Sequence, residues 1–328
     1  MDSSMTPTPL HDFAWIAVRG PDARQFLHGQ VSQDVLGQPQ DRVALAGLHN
    51  PQGRAAAILR LVPLAEDGLL LGLPAEIAAA VIQRLRRYVL RSRLTLEDAT
   101  AAWEAVGLDG PGAAAALAAA GLQTAGAGIG TLARDGDRLA WRHSADPERF
   151  IVLAPRAVGL PAAWAAAPDD GTARRRWHAA DVAAGLPQVH AATAEAFVAQ
   201  MLNLDVLAGV AFDKGCYTGQ EVIARAHWRG RVKRRMQRFR TRAADDAPLA
   251  PGDAGTLADG RAFRVVEVAV LDDGRREFLA VAPLSATAGD DEGPAAATPG
   301  TATPAAPTPA AGAVRDAEAL PLPYALPD

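Results

Sequence analysis

Cysteine and lysine are the scarcest chemistry-bearing residues of this 328-residue chain, which has one thiol, Cys216, and only Lys214 and Lys233 as lysines among its 33 basic side chains. A single thiol excludes an internal disulfide. It also excludes any zinc or iron-sulfur site built from this chain's cysteines alone, since such sites take about four ligands. Aromatics make up 5% of the residues, so an aliphatic, Ala-lined core with a few large anchors is expected. No apolar run reaches the ~20 residues of a membrane-spanning helix, and no membrane partner is expected. Met1 to Leu10 carries neither a cationic leader nor an apolar stretch, which makes the cytoplasm the expected compartment. A net charge of -4 excludes a chain that is basic all over and coats nucleic acid, leaving only a local patch as a route to such partners.

What is present reads as alternating strands and helices. Phe13 to Val18 predicts a strand, and Gly20-Pro21-Asp22 opens a short helix that Gly29 closes. Asn50-Pro51-Gln52-Gly53 between two apolar segments predicts a β-hairpin over Leu45 to Leu61. Glu76 to Leu90 reads as a helix with Ile77, Val81, Leu85 and Val89 on one face. From Trp103 the pattern is β-α-β-β-α, a small α+β unit that ends near Trp164. Arg174 to Ala184 and Thr193 to Leu207 read as helices stopped at Gly185 and Gly209. Beyond Val232 strands dominate, with a hairpin turn at Asp272-Asp273-Gly274 and an expected small antiparallel barrel. Ser285 to Val314 is Pro, Ala, Thr and Gly, buries too little to offset its ordering entropy, and is expected to be disordered.

The rare residues meet in Phe212-Asp213-Lys214-Gly215-Cys216-Tyr217-Thr218-Gly219-Gln220-Glu221. Thr218 with Glu221 three residues later predicts a capping box that opens a helix through Val222, Ile223 and Ala226. Cys216 then sits just outside a helix N-terminus, where amide groups and the dipole favour a thiolate. Lys214 adds a positive charge and, unlike Arg, can lose its proton when desolvated. The alternative reading makes Lys214 an exposed charge and Cys216 a small core filler. Downstream, Arg225, Arg229, Arg231, Lys233, Arg234, Arg235, Arg238, Arg240 and Arg242 occur with no acidic residue between Val222 and Ala244. They form either a patch for RNA phosphates or an acidic ligand tail, with His227 and Trp228 for stacking, or a solvated strand face. His28, His49, His178 and His190 show no metal-ligand spacing, and no metal is assigned.

Lys214-Gly215-Cys216-Tyr217-Thr218-Gly219-Gln220-Glu221 resembles the signature of the YgfZ family, relatives of the T protein (aminomethyltransferase) of the glycine cleavage system. Asp22 to Val35, Trp177 to Pro187, Gln200 to Leu204, Arg225 to Lys233 and Pro321 to Tyr324 are similar to other family segments. The likeness is weakest over Ala113 to Pro168. The resemblance implies an α+β, multidomain, T-protein-like folate-binding fold. Its parts are a discontinuous folate-binding domain (1-100 and 174-231), an inserted α+β domain (101-173) and a C-terminal antiparallel β-barrel (232-328) with a disordered Pro/Ala-rich insertion (285-314).

It further implies tetrahydrofolate or a one-carbon derivative as cofactor, with Trp177 at the folate site and Phe13 where the family has a second aromatic. Cys216 and Lys214 are implied as the catalytic pair, carried by Gly215, Tyr217, Gly219, Gln220 and Glu221. The implied role is to support assembly or repair of iron-sulfur enzymes and thereby tRNA modification, with those enzymes, tRNA or tRNA-modifying enzymes as partners. Asn50-Pro51-Gln52-Gly53 departs from the relatives that have an acidic residue ahead of the glycine, and Ala199 replaces a frequent proline. A true aminomethyltransferase would share the fold without needing the thiol. A Cys-dependent hydrolase would need an orienting His that no sequence pairing identifies, and an RNA-binding module would rest on the basic stretch. No reaction of Cys216 is read from the sequence.

Overall fold

The computed structural model describes residues 5–65, 68–124, 128–167, 171–230, 232–243, 248–284 and 314–327. Two strands, β1 (Thr6–Pro9) and β2 (Phe13–Arg19), lead into helix α1 (Ala23–Gln30). The expected stop at Gly29 is not where α1 ends: the helix runs on to Gln30 and closes with Val31 N–H donating to Leu27 O at 3.1 Å. The predicted hairpin forms from β3 (Ala44–His49) and β4 (Ala55–Pro63), followed by β5 (Leu69–Pro74), α2 (Ala75–Arg86) and β6 (Thr95–Asp98). These strands make a sheet in the order β3-β4-β5-β2-β6. α2 buries Ile77, Val81 and Leu85 as its spacing requires, but ends at Arg86 rather than Leu90. Short-range turns replace the helix there, Tyr88 N–H bonding Leu85 O at 3.0 Å, and Leu90 is 86% exposed.

The middle of the chain supplies β7 (Trp103–Asp109), α3 (Ala113–Ala119), β8 (Leu132–Asp135), β9 (Arg138–Ala145), β10 (Glu148–Pro155) and α4 (Ala162–Ala165). Its sheet, β1-β7-β10-β9-β8, takes its edge strand from the start of the chain, Thr6 to Pro9 pairing antiparallel with Asp109 to Val106. Strand alternation explains how the two sheets share a core. On β2, Ala14, Ile16 and Val18 face the core under α1 and α2, whereas Phe13, Trp15 and Ala17 face the second sheet. On β10, Ile151 and Leu153 point back toward Trp15, while Phe150 and Val152 pack under α3 and α4. Both faces of each strand are therefore apolar, which is why these segments read as continuous hydrophobic runs.

Helix α5 (Thr172–Ala183) forms as predicted and leads to a stretch that does not. Instead of a helix over Thr193 to Leu207, there are two single 3-10 turns, Ala191–Thr193 and Ala199–Leu202. Left-handed residues at Glu195 (φ 58) and Asn203 (φ 56) break them. The cause is competition for backbone bonds: Glu195 N–H donates to Ala55 O and Ala55 N–H to Phe197 O, both at 2.8 Å, so this segment pairs with the start of β4 rather than with itself. Helix α6 (Gln220–Trp228) follows, and then β11 (Arg234–Thr241), β12 (Ala254–Leu257), β13 (Ala262–Val270), β14 (Arg276–Pro283), β15 (Val314–Arg315) and β16 (Ala317–Leu320).

The third sheet has the order β15-β12-β13-β14-β11-β16 and is a curled half-barrel, not the closed antiparallel barrel expected. One extended segment, 314–320, pairs in parallel with β12 and then antiparallel with β11, so it passes from one edge to the other without joining them by a ladder. The stretch 285–313, where disorder is expected, lies outside the described residues. The C-terminal tail docks away from the third sheet's own core: Tyr324 donates its hydroxyl to Gly185 O at 2.8 Å, and Leu322 packs against the main core. No helix among the described residues is long and apolar enough to cross a membrane.

One polar contact ties α2 to the third sheet. His190 lies between Glu76 on α2 and Glu267 on β13, Nδ1 at 2.9 Å and Nε2 at 2.8 Å. Burial opposes its charge, but hydrogen bonding and attraction to Glu267 and then Glu76 raise its pKa from 6.5 to about 9. A raised folded-state pKa contributes stability that is fully present below the unfolded value and lost as pH rises through the folded one. His190→Gln should therefore cost most at and below pH 6.5 and little once the pH has passed about 9. Urea unfolding of both proteins from about pH 6 to about pH 10 checks this; a constant difference across the range would rule it out.

Candidate functional site

The motif loop is shaped by two interlocked glycine turns. Gly219 has φ +83, and a Cβ there would lie 2.5 Å from Asn50 O and 2.9 Å from Gly53 Cα. Gly53 has φ +71 and faces the Val222 side chain at 3.0 Å in the same way. The β3–β4 turn thus docks directly onto the start of α6, which only glycines permit. Asn50 stiffens that turn, its Oδ1 accepting from Gln52 and Arg54 N–H at 3.0 Å each and its Nδ2 donating to Glu195 at 3.0 Å. Arg84 on α2 pairs with the other Glu195 oxygen. The predicted Thr218–Glu221 capping box does not form. Left-handed Gly219 is the N-cap and Gln220 the first helical residue, so Thr218 is turned out of the capping position. Glu221 instead accepts from Arg225 at 2.7 Å.

Lys214 is half-buried, and its ammonium donates to three backbone carbonyls: His28, Val31 at 2.8 Å and Gln33 at 3.0 Å. These are carbonyls at and just past the end of α1, where a helix lacks internal donors. Burial pulls the Lys214 pKa down to about 8, with Asp34 pulling the other way. All three bonds need the protonated amine, which also favours the charged form. The Nζ also lies 4.9 Å from the centroid of buried Tyr217, whose hydroxyl burial pushes up to about 12. Gly215 passes His28, whose Nε2 would be 3.4 Å from a Cβ there, and His28 Nδ1 lies 3.2 Å from Asp34. Cys216 itself is exposed.

Behind this loop is a cavity of about 670 Å³ lined from four parts of the chain. Gln33 to Leu45 forms one wall, Arg60, Trp141 and His143 a second, Ala184 to Pro187 with Val206 to Val210 a third, and Pro323 and Tyr324 the last. Gln33 joins rim to wall, its carbonyl held by Lys214 and its Nε2 donating to Leu45 O at 3.0 Å and Ala208 O at 2.7 Å. Cys216 and Lys214 are not among the lining residues.

The aromatics implied for the folate site stand one layer back from the cavity. Trp177 is 1% exposed and stacks on His143 at 5.5 Å between ring centroids. Phe13, also buried, lies under the Arg60 guanidinium at 4.8 Å. Each thus backs a polar group that does line the cavity. Arg60, Gln38, His143 and Asp181 carry no motif and were passed over in the sequence. The readable signal was Arg60, a lone charge inside the apolar run Ala55 to Leu64, since an unpaired Arg is almost never fully buried without a reason.

The basic stretch is largely neutralised by carboxylates distant in sequence. Arg235 is buried against Asp205 at 2.8 Å, Arg238 meets Glu277 at 2.7 Å, Arg240 meets Glu318 at 2.9 Å and Arg242 meets Asp316 at 3.0 Å. Arg229 and Lys233 are exposed, and Arg231 lies outside the described residues. His227 stacks on Phe212 at 3.7 Å, with Trp228 exposed beside them.

Gly219→Ala should destabilise the protein by about 1–3 kcal/mol, through its backbone angle and the clash with Asn50 O. Gly29→Ala is the control: it lies within α1, has nothing within 4 Å of the added Cβ, and should be neutral or stabilise by up to ~1 kcal/mol. Equal urea midpoints for the two variants would contradict the interlock. Lys214→Met should leave carbonyls unsatisfied at ~1–3 kcal/mol each, and Lys214→Arg should rescue poorly because a planar fork cannot converge on three acceptors. Hydrogen exchange over 28–38 measures the loosening; wild-type protection in either variant would refute the anchor.

Residues 8–127 match the family described as GCVT N-terminal domain. The chain is 30% identical over 290 residues to the tRNA-modifying protein YgfZ of Serratia proteamaculans, covering 82% of this chain and 85% of that one. It is 32% identical over 238 residues to the protein of the same name from Pectobacterium carotovorum, covering 71% and 70%. Among solved structures, the glycine cleavage system aminomethyltransferase T from Bartonella henselae superposes with a TM-score of 0.66 at 19% identity, over 85% of this chain and 78% of that one, a likeness of fold. On this breadth of identity, the chain belongs to the YgfZ family of tRNA-modifying proteins.

Proposed function

We propose that the chain binds tetrahydrofolate, or a one-carbon derivative of it, in the cavity behind the motif loop, and supports the assembly or repair of iron-sulfur enzymes and thereby tRNA modification. The observation that carries this reading is the cavity: about 670 Å³ falls within the ~300–1,000 Å³ usual for cofactor sites. Its walls are mostly apolar, with a few buried polar groups, among them Arg60, Gln38 and His143. Gln38 in particular has a buried Oε1 with no protein partner among the described residues, an acceptor suited to a ligand donor. A flat ring with polar edges fits such a site. Bound tetrahydrofolate would supply a carrier for one-carbon units.

The chain's own residues divide the work. Trp177 and Phe13 act by holding His143 and Arg60 in place. Lys214 fixes the rim through the carbonyls of 28–33, and Gly215, Tyr217 and Gly219, with Gln220 and Glu221 opening α6, set the backbone that presents Cys216. The thiol lies outside the cavity and exposed, where a client protein can reach it. The relatives' printed name accords with a tRNA-related role. The basic stretch gives RNA binding little support, because most of its described arginines are already paired, and the aminomethyltransferase reading rests on fold alone.

Tetrahydrofolate should quench the fluorescence of Trp141, which lines the cavity, and Trp141→Phe should lose most of that signal while still binding by calorimetry. No heat and no quenching with the wild-type chain would sink the folate reading. Cys216→Ser should bind tetrahydrofolate normally yet fail to restore iron-sulfur enzyme activities in a strain lacking the protein. Full restoration would remove the thiol from the function.

A further inference from the structure

Beside the cavity lies a buried charge cluster with an ordered direction. Asp181 on α5 accepts from Arg149 Nη2 at 2.7 Å and meets His143 Nε2 at 2.8 Å. Arg149, fully buried, also donates to Trp177 O and to Ser144 Oγ, both at 3.0 Å. Burial works against the Asp181 carboxylate, but Arg149 and then His143 hold it well below the usual carboxylate range, so it is an anion. The contact with an anion places a proton on His143 Nε2. Burial also lowers His143, to about 4, and Arg60 is among the cations that oppose its charging. The imidazole is therefore neutral with its lone pair on Nδ1. Nδ1 has no hydrogen bond to any described residue, and His143 lines the cavity.

Two more wall groups complete a pattern. Gln38 donates both amide hydrogens, to Arg42 O at 2.7 Å and Leu61 O at 2.9 Å, which leaves its buried Oε1 as a bare acceptor. Arg60, 3% exposed, is held by the Gln188 amide, whose oxygen, turned toward it, accepts at 3.0 and 2.7 Å, and by the Phe13 ring. No carboxylate is hydrogen-bonded to Arg60 among the described residues. His143 and Arg60, on one wall of the cavity, thus offer a fixed acceptor and a fixed donor, with Gln38 as a further acceptor on the neighbouring wall. Their complement is a ring edge that has an N–H beside a carbonyl.

We infer, resting on the reading that the cavity takes a folate, that His143 is the residue that orients the pterin ring, accepting its amide N–H on Nδ1 while Arg60 donates to the adjacent ring carbonyl. Asp181 fixes the tautomer that makes His143 an acceptor, and Trp177 fixes the ring plane. A ring that lacks the N–H leaves the Nδ1 lone pair buried and unpaired, so such rings are rejected.

The test is calorimetry on the full chain with tetrahydrofolate and with its analogue methylated on the ring amide nitrogen. Wild type should prefer the parent compound by about tenfold or more. His143→Ala, which removes the acceptor and leaves room for the methyl, should bind the two alike. His143→Gln can donate to Asp181 and accept from the ring, and should keep the preference. Equal wild-type affinity for the two ligands, or an undiminished preference in a folded Ala variant, overturns the inference alone. No binding of tetrahydrofolate to wild type overturns the folate reading and the inference with it. Should the Ala variant not fold, nitrogen-15 spectra of histidine-labelled wild type decide: the unprotonated Nδ1 signal should shift on saturation with tetrahydrofolate, and an unmoved signal overturns the inference.

Discussion

Three carbonyls at the end of α1 converge on the ammonium of Lys214, and both the cavity rim and the motif loop take their position from that meeting. A helix end leaves carbonyls without donors, and where it is folded into the rim of a cavity it cannot rely on water for all of them. One tetrahedral nitrogen with three donors satisfies them at a single point, which a planar guanidinium cannot do. That geometry is a physical reason for a lysine in a chain whose other basic side chains, Lys233 apart, are all arginine. It also shifts the meaning of Lys214 relative to its neighbour: the ammonium faces inward, toward 28–33, and its donors are committed to the backbone rather than free for the thiol.

Much of the fold was legible because it is written in local signals. The β3–β4 and β13–β14 hairpins follow turn sequences, α5 stops where Gly185 says it should, and β2 and β10 are continuous apolar runs because both faces are buried. The misses are places where a distant partner outbid the local one. Thr193 to Leu207 has helical composition, yet its backbone bonds go to Ala55. Thr218 and Glu221 have the spacing of a capping box, yet the docked Asn50–Gly53 turn forces Gly219 into a left-handed cap. The half-barrel was invisible for the same reason, since whether two edges meet depends on where a two-residue and a four-residue strand attach.

The candidate site was legible as a motif and not as a cavity. Lys214 to Glu221 is contiguous and can be read in one glance, whereas the cavity draws on Gln38, Arg60, His143 and Tyr324, which share nothing in sequence. Charge was misleading in a related way. The run from Arg225 to Arg242 lacks acidic residues locally, yet Asp205, Glu277, Asp316 and Glu318 arrive from other elements to pair with it. A one-dimensional charge run measures composition; only the fold decides which cations remain free.

The separation of thiol and cavity follows from the same architecture. Cys216 projects from a loop held from behind by Lys214 and from below by the Gly53–Gly219 interlock, so its backbone is fixed while its sulfur faces solvent. The cavity is lined by residues of the 33–38 segment, whose Gln33 is bound at its carbonyl by Lys214 and at its side chain by Leu45 and Ala208. Loop and rim thus share one tether without sharing a chamber. The cavity and the exposed thiol are thereby kept apart, and what joins them is the 28–34 backbone, the piece of structure the rare lysine holds.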